Sequence, residues 1–260
     1  MLLSLENFNT NIGHFLHEHL QYLLDLILNN LHINYKLIIG PDLLTLPMYR
    51  WHYGILYILA NKQPNFELKI YDDEIDLFSI YPNNHKHIIN IEHIKYLQKI
   101  VFEYYNINYN VDLPEYKVLY TRTQDTDRRH LLNSECLKDD FDLIIDSLDI
   151  SFEDHIRLFS KITHFVTIEG AHLTNIIFMQ PFARIKNINT VYSALEKHNS
   201  WQLFFGTYVL IKEFNIENKE LTRVSCSNGA AGDSHDFNDH VLIDDKLREE
   251  IICWINNTKQ

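Results

Sequence analysis

An α/β layer architecture in two halves is the fold class this sequence predicts, and three observations predict it. Short apolar runs of strand length alternate with longer amphipathic segments along most of the chain. The alternation lapses once, over the Asn-rich stretch from Asn106 to Pro114, and then restarts. No run of about 18 uncharged apolar residues interrupts it, so a membrane-spanning helix is not expected.

The elements follow in order. Phe15, Leu16, Leu20, Leu23, Leu24, Ile27 and Leu31 recur at three- and four-residue spacing, which predicts an amphipathic helix from about Ile12 to Leu31. Strands are expected at Lys36 to Ile39, Phe66 to Tyr71 and Leu77 to Ile80, with helices at Tyr49 to Ala60 and Ile91 to Tyr105. Beyond the lapse, strands are expected at Tyr116 to Tyr120, Leu143 to Ile145, Phe165 to Ile168 and Arg184 to Ile188. Helices are expected at Phe152 to Lys161, His172 to Phe178 and Asp244 to Ile255, with a Ser, Gly and Asn-rich loop at Ser225 to Asn238.

Composition narrows the function classes. The 260 residues are 46% hydrophobic and 22% charged, which suits an ordered globule and excludes a disordered chain. With 35 acidic against 23 basic residues the net charge is −12, which opposes binding to nucleic acid or to an anionic membrane over the whole surface. A phosphate group would need a local basic pocket. Cys136, Cys226 and Cys253 form no CxxC pair, and the first residues lack the basic start of a signal peptide. The expectation is a soluble protein of a reducing cytoplasm.

Nucleotide-binding fingerprints such as GxxxxGK[ST], GxGxxG and GxSxG are absent. His17-Glu18-His19 resembles part of a zinc-protease helix, but Gln21 occupies the position where the second histidine of that face would stand. Asp125 and Asp127, and the group His235, Asp236, Asp239 and His240, hold metal-competent residue types without rigid spacing, which solvated loops also explain.

Three segments carry more chemistry. His14 and Glu18 are four apart on one helix face, so the carboxylate can orient the imidazole as a base for a hydroxyl; a surface pair at a helix start is the other reading. Arg122, Arg128 and Arg129 follow a strand, where α/β folds bind ligands, and could clamp a diphosphate or pair with nearby aspartates. The run Glu169-Gly170-Ala171-His172-Leu173-Thr174-Asn175 turns from strand to helix through small residues, which lets backbone amides approach a phosphate and is also common as a plain turn.

In this order the three segments resemble glycosyltransferase family 61. The family's HWLxExL motif is met by His14-Phe15-Leu16-His17-Glu18-His19-Leu20, with Phe15 in place of the Trp. Its arginine followed by RRLLNE is approached by Arg122 and Arg129-His130-Leu131-Leu132-Asn133, with His130 in place of an arginine and Ser134 in place of the Glu. SFxEQxxLF, a strand and then HGAxLTNxxF are matched by Ser151 to Phe159 and by Glu169 to Phe178, with Glu169 where many members have His. His240 to Asp244 and the helix after them resemble the closing segment.

The resemblance implies a GT-B-like fold, two Rossmann-like domains facing across a cleft: residues 1–112 on the acceptor side, 113–243 binding the nucleotide sugar, and 244–260 as a C-terminal helix packing back across them. It further implies an inverting transfer of xylose or N-acetylglucosamine from a UDP-sugar to a hydroxyl of a glycan or glycoprotein, without metal or other cofactor. His14 and Glu18 take the catalytic roles. Arg122, Arg129, Asn133, Glu169, Gly170, Ala171, His172, Thr174 and Asn175 take the donor. Two alternatives stand beside it: a metal-dependent transferase using Asp125 and Asp127, and a degenerate glycan-binding relative. The chain starts close to the first motif, so a cytoplasmic enzyme without an anchor, in a host cytoplasm if viral, is the expectation.

Overall fold

The computed structural model describes residues 2–4, 15–40, 50–70, 90–108, 112–122, 130–168, 170–180, 183–189, 217–220 and 240–257. The strand expected at Leu77 to Ile80 and the loop expected at Ser225 to Asn238 lie outside them. The fold is mixed α/β with parallel sheets, and the chain divides into two compact units. The first holds Met1–Tyr109 with Ser151–Asp154 and Trp201–Leu210; the second holds Asn110–Ile150, His155–Ser200 and Ile211–Gln260.

In the first unit, strands β1 (Leu2–Ser4), β2 (Tyr35–Ile39) and β3 (Phe66–Ile70) pair in parallel in that order, with Leu37 opposite both Leu3 and Leu68. Parallel neighbours need crossover connections, which helices supply. Helix α1 (Leu20–Asn29) joins β1 to β2 and α2 (Arg50–Lys62) joins β2 to β3, while α3 (Ile91–Tyr104) follows β3. The periodic positions within the helices are buried, Leu20, Leu23, Leu24 and Ile27 on α1 and Ile55, Leu56, Ile58 and Leu59 on α2, whereas Leu31, expected at the end of the first helix, lies beyond Asn29 and is 65% exposed.

The predicted first helix is not uniform. Phe15–His19 forms a turn of π-helix before α1 begins, and the Gln21 side chain donates to the Leu16 carbonyl across it at 3.2 Å. The wider turn is capped from within, because an amide side chain takes up a carbonyl that a regular α-turn would have bonded. Asn65 closes the other end of α1 through its side-chain amide on the Ile27 carbonyl at 2.9 Å. Asn90 caps α3 by accepting from the Glu92 amide at 3.0 Å.

The second unit is built on a five-stranded parallel sheet in the order β6 (Leu143–Ile145), β4 (Lys117–Tyr120), β7 (His164–Ile168), β8 (Arg184–Asn189), β9 (Glu217–Glu220). Strand β7 is buried along its whole length, as a central parallel strand must be when both faces are covered. One face of the sheet, through Leu119, Val166, Ile168 and Ile188, joins a core with Leu247, Ile251, Trp254 and Ile255 of helix α5 (Asp245–Asn256). Asp244 caps α5 by accepting from the Leu247 amide at 2.9 Å.

A short parallel pair, β5 (Leu131–Leu132) with β10 (Val241–Leu242), ties the chain after β4 to the segment before α5. Neither two-residue strand carries a periodic signal, and β1 and β9 were likewise not expected. Helix α4 (Phe152–Phe159) opens on a reciprocal cap: the Asp154 amide donates to Ser151 Oγ at 3.0 Å, and that hydroxyl donates to the Asp154 carboxylate at 2.7 Å. The segment expected to be a helix from His172 is a 3₁₀ helix, Ala171–Phe178.

Candidate functional site

Taken in chain order, the five strands of the large sheet lie second, first, third, fourth, fifth, so the direction of winding reverses between β4 and β7. In doubly wound sheets, ligands bind outside the carboxyl ends of the strands where that reversal occurs. Thr121 and Arg122 leave β4 there, and Gly170 with the 3₁₀ helix leaves β7 there.

Thr121 is anchored first. Its amide donates to the Ile145 carbonyl at 2.8 Å, its hydroxyl bonds the Asp146 carboxylate, and its carbonyl accepts from the Leu131 amide at 3.0 Å. Arg122, next in the chain, has φ 65°, a left-handed conformation that non-glycine residues seldom adopt. The side chain is 8% exposed and folds over Gly170. A methyl group on Gly170 would lie 2.9 Å from Arg122 Cζ, closer still to Nη1, and 2.9 Å from His172 Cε1. Glycine at this position leaves room for a cation and an imidazole, while its φ of 166° is extended backbone that any residue adopts.

His172 is held from β7 and β4. Its Nε2 is 2.6 Å from Thr167 Oγ1, and its ring meets Tyr120 edge-on with centroids 4.7 Å apart. Thr167 is fully buried and its hydroxyl donates to the Tyr120 carbonyl at 3.2 Å. Thr167 and Tyr120 occupy paired positions of neighbouring strands, which is why both reach the same ring. The first bond of the 3₁₀ helix runs from the Leu173 amide to the Gly170 carbonyl at 3.0 Å, so the preceding amides stand at its positive end.

Of the predicted donor residues, the structure therefore brings together Arg122, Gly170 and His172. Thr174 and Asn175 follow on the same 3₁₀ helix, each 2% exposed. Asn133 stands exposed beside β5, left-handed with φ 63°, and its side-chain amide donates to the Ile243 carbonyl at 3.1 Å. His130, which replaces a family arginine, donates its backbone amide to His240 Nδ1 at 3.1 Å, with the two rings 4.3 Å apart. His14, Arg129, Glu169, Asp125 and Asp127 lie outside the described residues, as do the side chains of Glu18 and Ala171. Among the described residues no group of three or more His, Cys, Asp or Glu could hold a metal ion, and no helix is long and apolar enough to cross a membrane.

Sequence reasoning passed over Thr167 and Tyr120. A threonine in the apolar strand His164–Ile168 was the signal available for the first. For Tyr120 there was none, because a buried tyrosine at a strand end reads as core.

The family model described as Glycosyltransferase 61 matches residues 12–185, two thirds of the chain and all three motif segments. No curated protein matches it. The chain belongs to glycosyltransferase family 61.

Proposed function

We propose that this member of glycosyltransferase family 61 moves a sugar, xylose or N-acetylglucosamine, from a UDP-sugar to a hydroxyl of a glycan, with inversion and without a metal ion. The observation that carries the donor side is the convergence of Arg122 and the start of the 3₁₀ helix on the switch point of the large sheet. A departing diphosphate accumulates negative charge, and a guanidinium beside the positive end of a helix is chemistry suited to compensate it. Arg129 would complete the clamp, and Glu169, Ala171, Thr174 and Asn175 would line the nucleotide subsite. Asn133 would support it from the β5 turn. Two α/β units support a GT-B reading in which the first unit binds the acceptor.

In the step itself, the acceptor oxygen attacks the anomeric carbon as the bond from that carbon to the UDP oxygen breaks. UDP leaves with the bonding electrons. The hydroxyl proton goes to His14 or Glu18, one acting as base while the other orients it.

A screen of UDP-sugars by thermal shift, followed by turnover with glycan acceptors, tests the reading, because a ligand that binds only the folded state raises the melting temperature with its occupancy. A UDP-sugar that stabilises the protein and is consumed on addition of acceptor is the expected result. Loss of turnover in EDTA would instead favour a metal held by Asp125 and Asp127. Saccharide binding with no turnover of any nucleotide sugar would favour a degenerate glycan-binding protein, a reading that His130 in place of an arginine supports.

A further inference from the structure

The first unit carries a feature that its core does not need. The core of the unit holds fully buried aliphatic residues, among them Ile55, Leu56, Ile58 and Leu59 of α2 and Leu97 and Val101 of α3. Outside them runs a second set of side chains, all aromatic. Tyr53 and Tyr57 are four apart and share a face of α2, with ring centroids 5.8 Å apart. Tyr57 meets Tyr104, the last residue of α3, edge-on at 6.3 Å, and Tyr104 meets Tyr105 edge-on at 5.1 Å. The series continues through Phe152 at 6.3 Å from Tyr105 to Trp51 at 5.4 Å from Phe152. All six belong to the same compact unit. Phe152 is buried beneath them, Trp51, Tyr53, Tyr104 and Tyr105 are half-buried, and Tyr57 is 43% exposed.

The polar ends of these rings gather. Burial, the Tyr57 hydroxyl bonded to it, and the Glu153 and Tyr53 groups nearby hold the Tyr104 phenol above the usual tyrosine range. The Tyr53 and Tyr57 rings are inclined by 34° and the rings after them meet edge-on, so the surface combines the Tyr57 ring with phenolic hydroxyls and with the exposed carboxylates of Glu103 and Glu153. Tyrosine and tryptophan offer large, stiff contact area at small entropic cost, apolar on the ring and hydrogen-bonding at the tip. A pyranose has the matching construction, with C–H faces above and below and hydroxyls around the edge. An anionic ligand does not match: Glu103 on this rim is paired with Lys62 and Lys99, and Glu153 adds negative charge.

We propose that the aromatic ledge of Trp51, Tyr53, Tyr57, Tyr104 and Tyr105 over Phe152 binds a neutral oligosaccharide, a sugar ring packing its C–H face on Tyr57 beside Tyr53 while its hydroxyls bond the phenols of the edge-on neighbours. The choice of ligand rests on the transferase reading, and the ledge is where a chain longer than the reacting sugar gains its affinity.

The test uses the full chain with neutral hexasaccharides of xylose, glucose and N-acetylglucosamine, an oligogalacturonate as anionic probe, and UDP as an independent ligand, all by titration calorimetry. One neutral hexasaccharide binds; Tyr57→Ala, an exposed position, weakens it about tenfold, Tyr57→Phe changes it about twofold or less, and neither variant alters UDP binding. Circular dichroism checks that both variants are folded. UDP binding without any neutral saccharide overturns the ledge and leaves the transferase reading standing. Tyr57-dependent saccharide binding without UDP binding supports the ledge and sinks the transferase reading. Equal saccharide affinity in Tyr57→Ala and parent, binding of the oligogalacturonate alone, or a parental dimer that Tyr57→Ala dissociates would each overturn the ledge.

Discussion

Arg122 and Gly170, leaving neighbouring parallel strands, occupy the same small volume: the guanidinium carbon lies 2.9 Å from where a side-chain carbon on Gly170 would stand. The glycine leaves the space that the guanidinium fills. That makes the pair a coupled unit, and substitutions in it should not add independently.

Arg122→Ala should weaken UDP binding by about 1.5–3 kcal/mol, the worth of a charge-assisted hydrogen bond. Gly170→Ala should weaken it about tenfold by pushing the guanidinium out of place. The double variant should bind no worse than Arg122→Ala alone, because the displaced group is already gone. Calorimetry of the four proteins checks this, and parental UDP affinity in Arg122→Ala would remove the clamp. Arg129→Ala belongs to the same series, with the same expected loss.

Catalysis should depend on His14 and Glu18 unequally. With His14 as base, His14→Ala lowers turnover about a hundredfold or more while UDP binding is retained, and Glu18→Gln costs less because the imidazole is still present. The reverse ranking identifies Glu18 as the base. Parental turnover in both would place the base elsewhere.

Gly54 tests packing in the first unit. A methyl group there would lie 2.6 Å from Phe152 Cγ and 2.7 Å from Cε1. In a helix interior, glycine to alanine ordinarily stabilises by up to about 1 kcal/mol. Here the Phe152 ring occupies the space, so Gly54→Ala should destabilise by about 1–3 kcal/mol, as overpacked cores do. A urea midpoint above that of the parent would contradict the close contact.

Acid should weaken both units. His93 is held below the ordinary histidine value of 6.5 by burial, against the pull of Asp25 at 4.0 Å; His164 is held below it by burial and then by the Arg184 guanidinium. Between the folded values and 6.5 the unfolded chain binds protons that the folded chain refuses. Stability from keeping these rings neutral is therefore complete above about pH 6.5 and declines as the pH falls below it. Urea melts across that range should show the decline, and His93→Gln or His164→Gln should each flatten it.

Several elements were legible from residue pattern because burial on one face imposes a period that sequence carries directly. Leu143–Ile145 was expected at its observed bounds, and α5 was expected within a residue at each end because Asp244 is a side-chain cap followed by apolar residues at helical spacing. The motifs at Arg122 and Gly170 were likewise legible as candidates for a phosphate site. What pattern could not reach was everything that depends on neighbours distant in the chain. The two-residue strands β5 and β10 exist because Leu131 and Val241 find each other, not because either prefers to be extended. The π turn at Phe15–His19 and the 3₁₀ form of Ala171–Phe178 share an apolar spacing with ordinary helices, and packing chooses among them. The site was divided in the same way. Residue types were fixed along the chain, but the strand order that sets β4 beside β7 brought Arg122 against Gly170 and Thr167 under His172. A contact between parallel strands forms only after the crossover between them has folded, so its geometry is decided by the sheet and not by the local sequence.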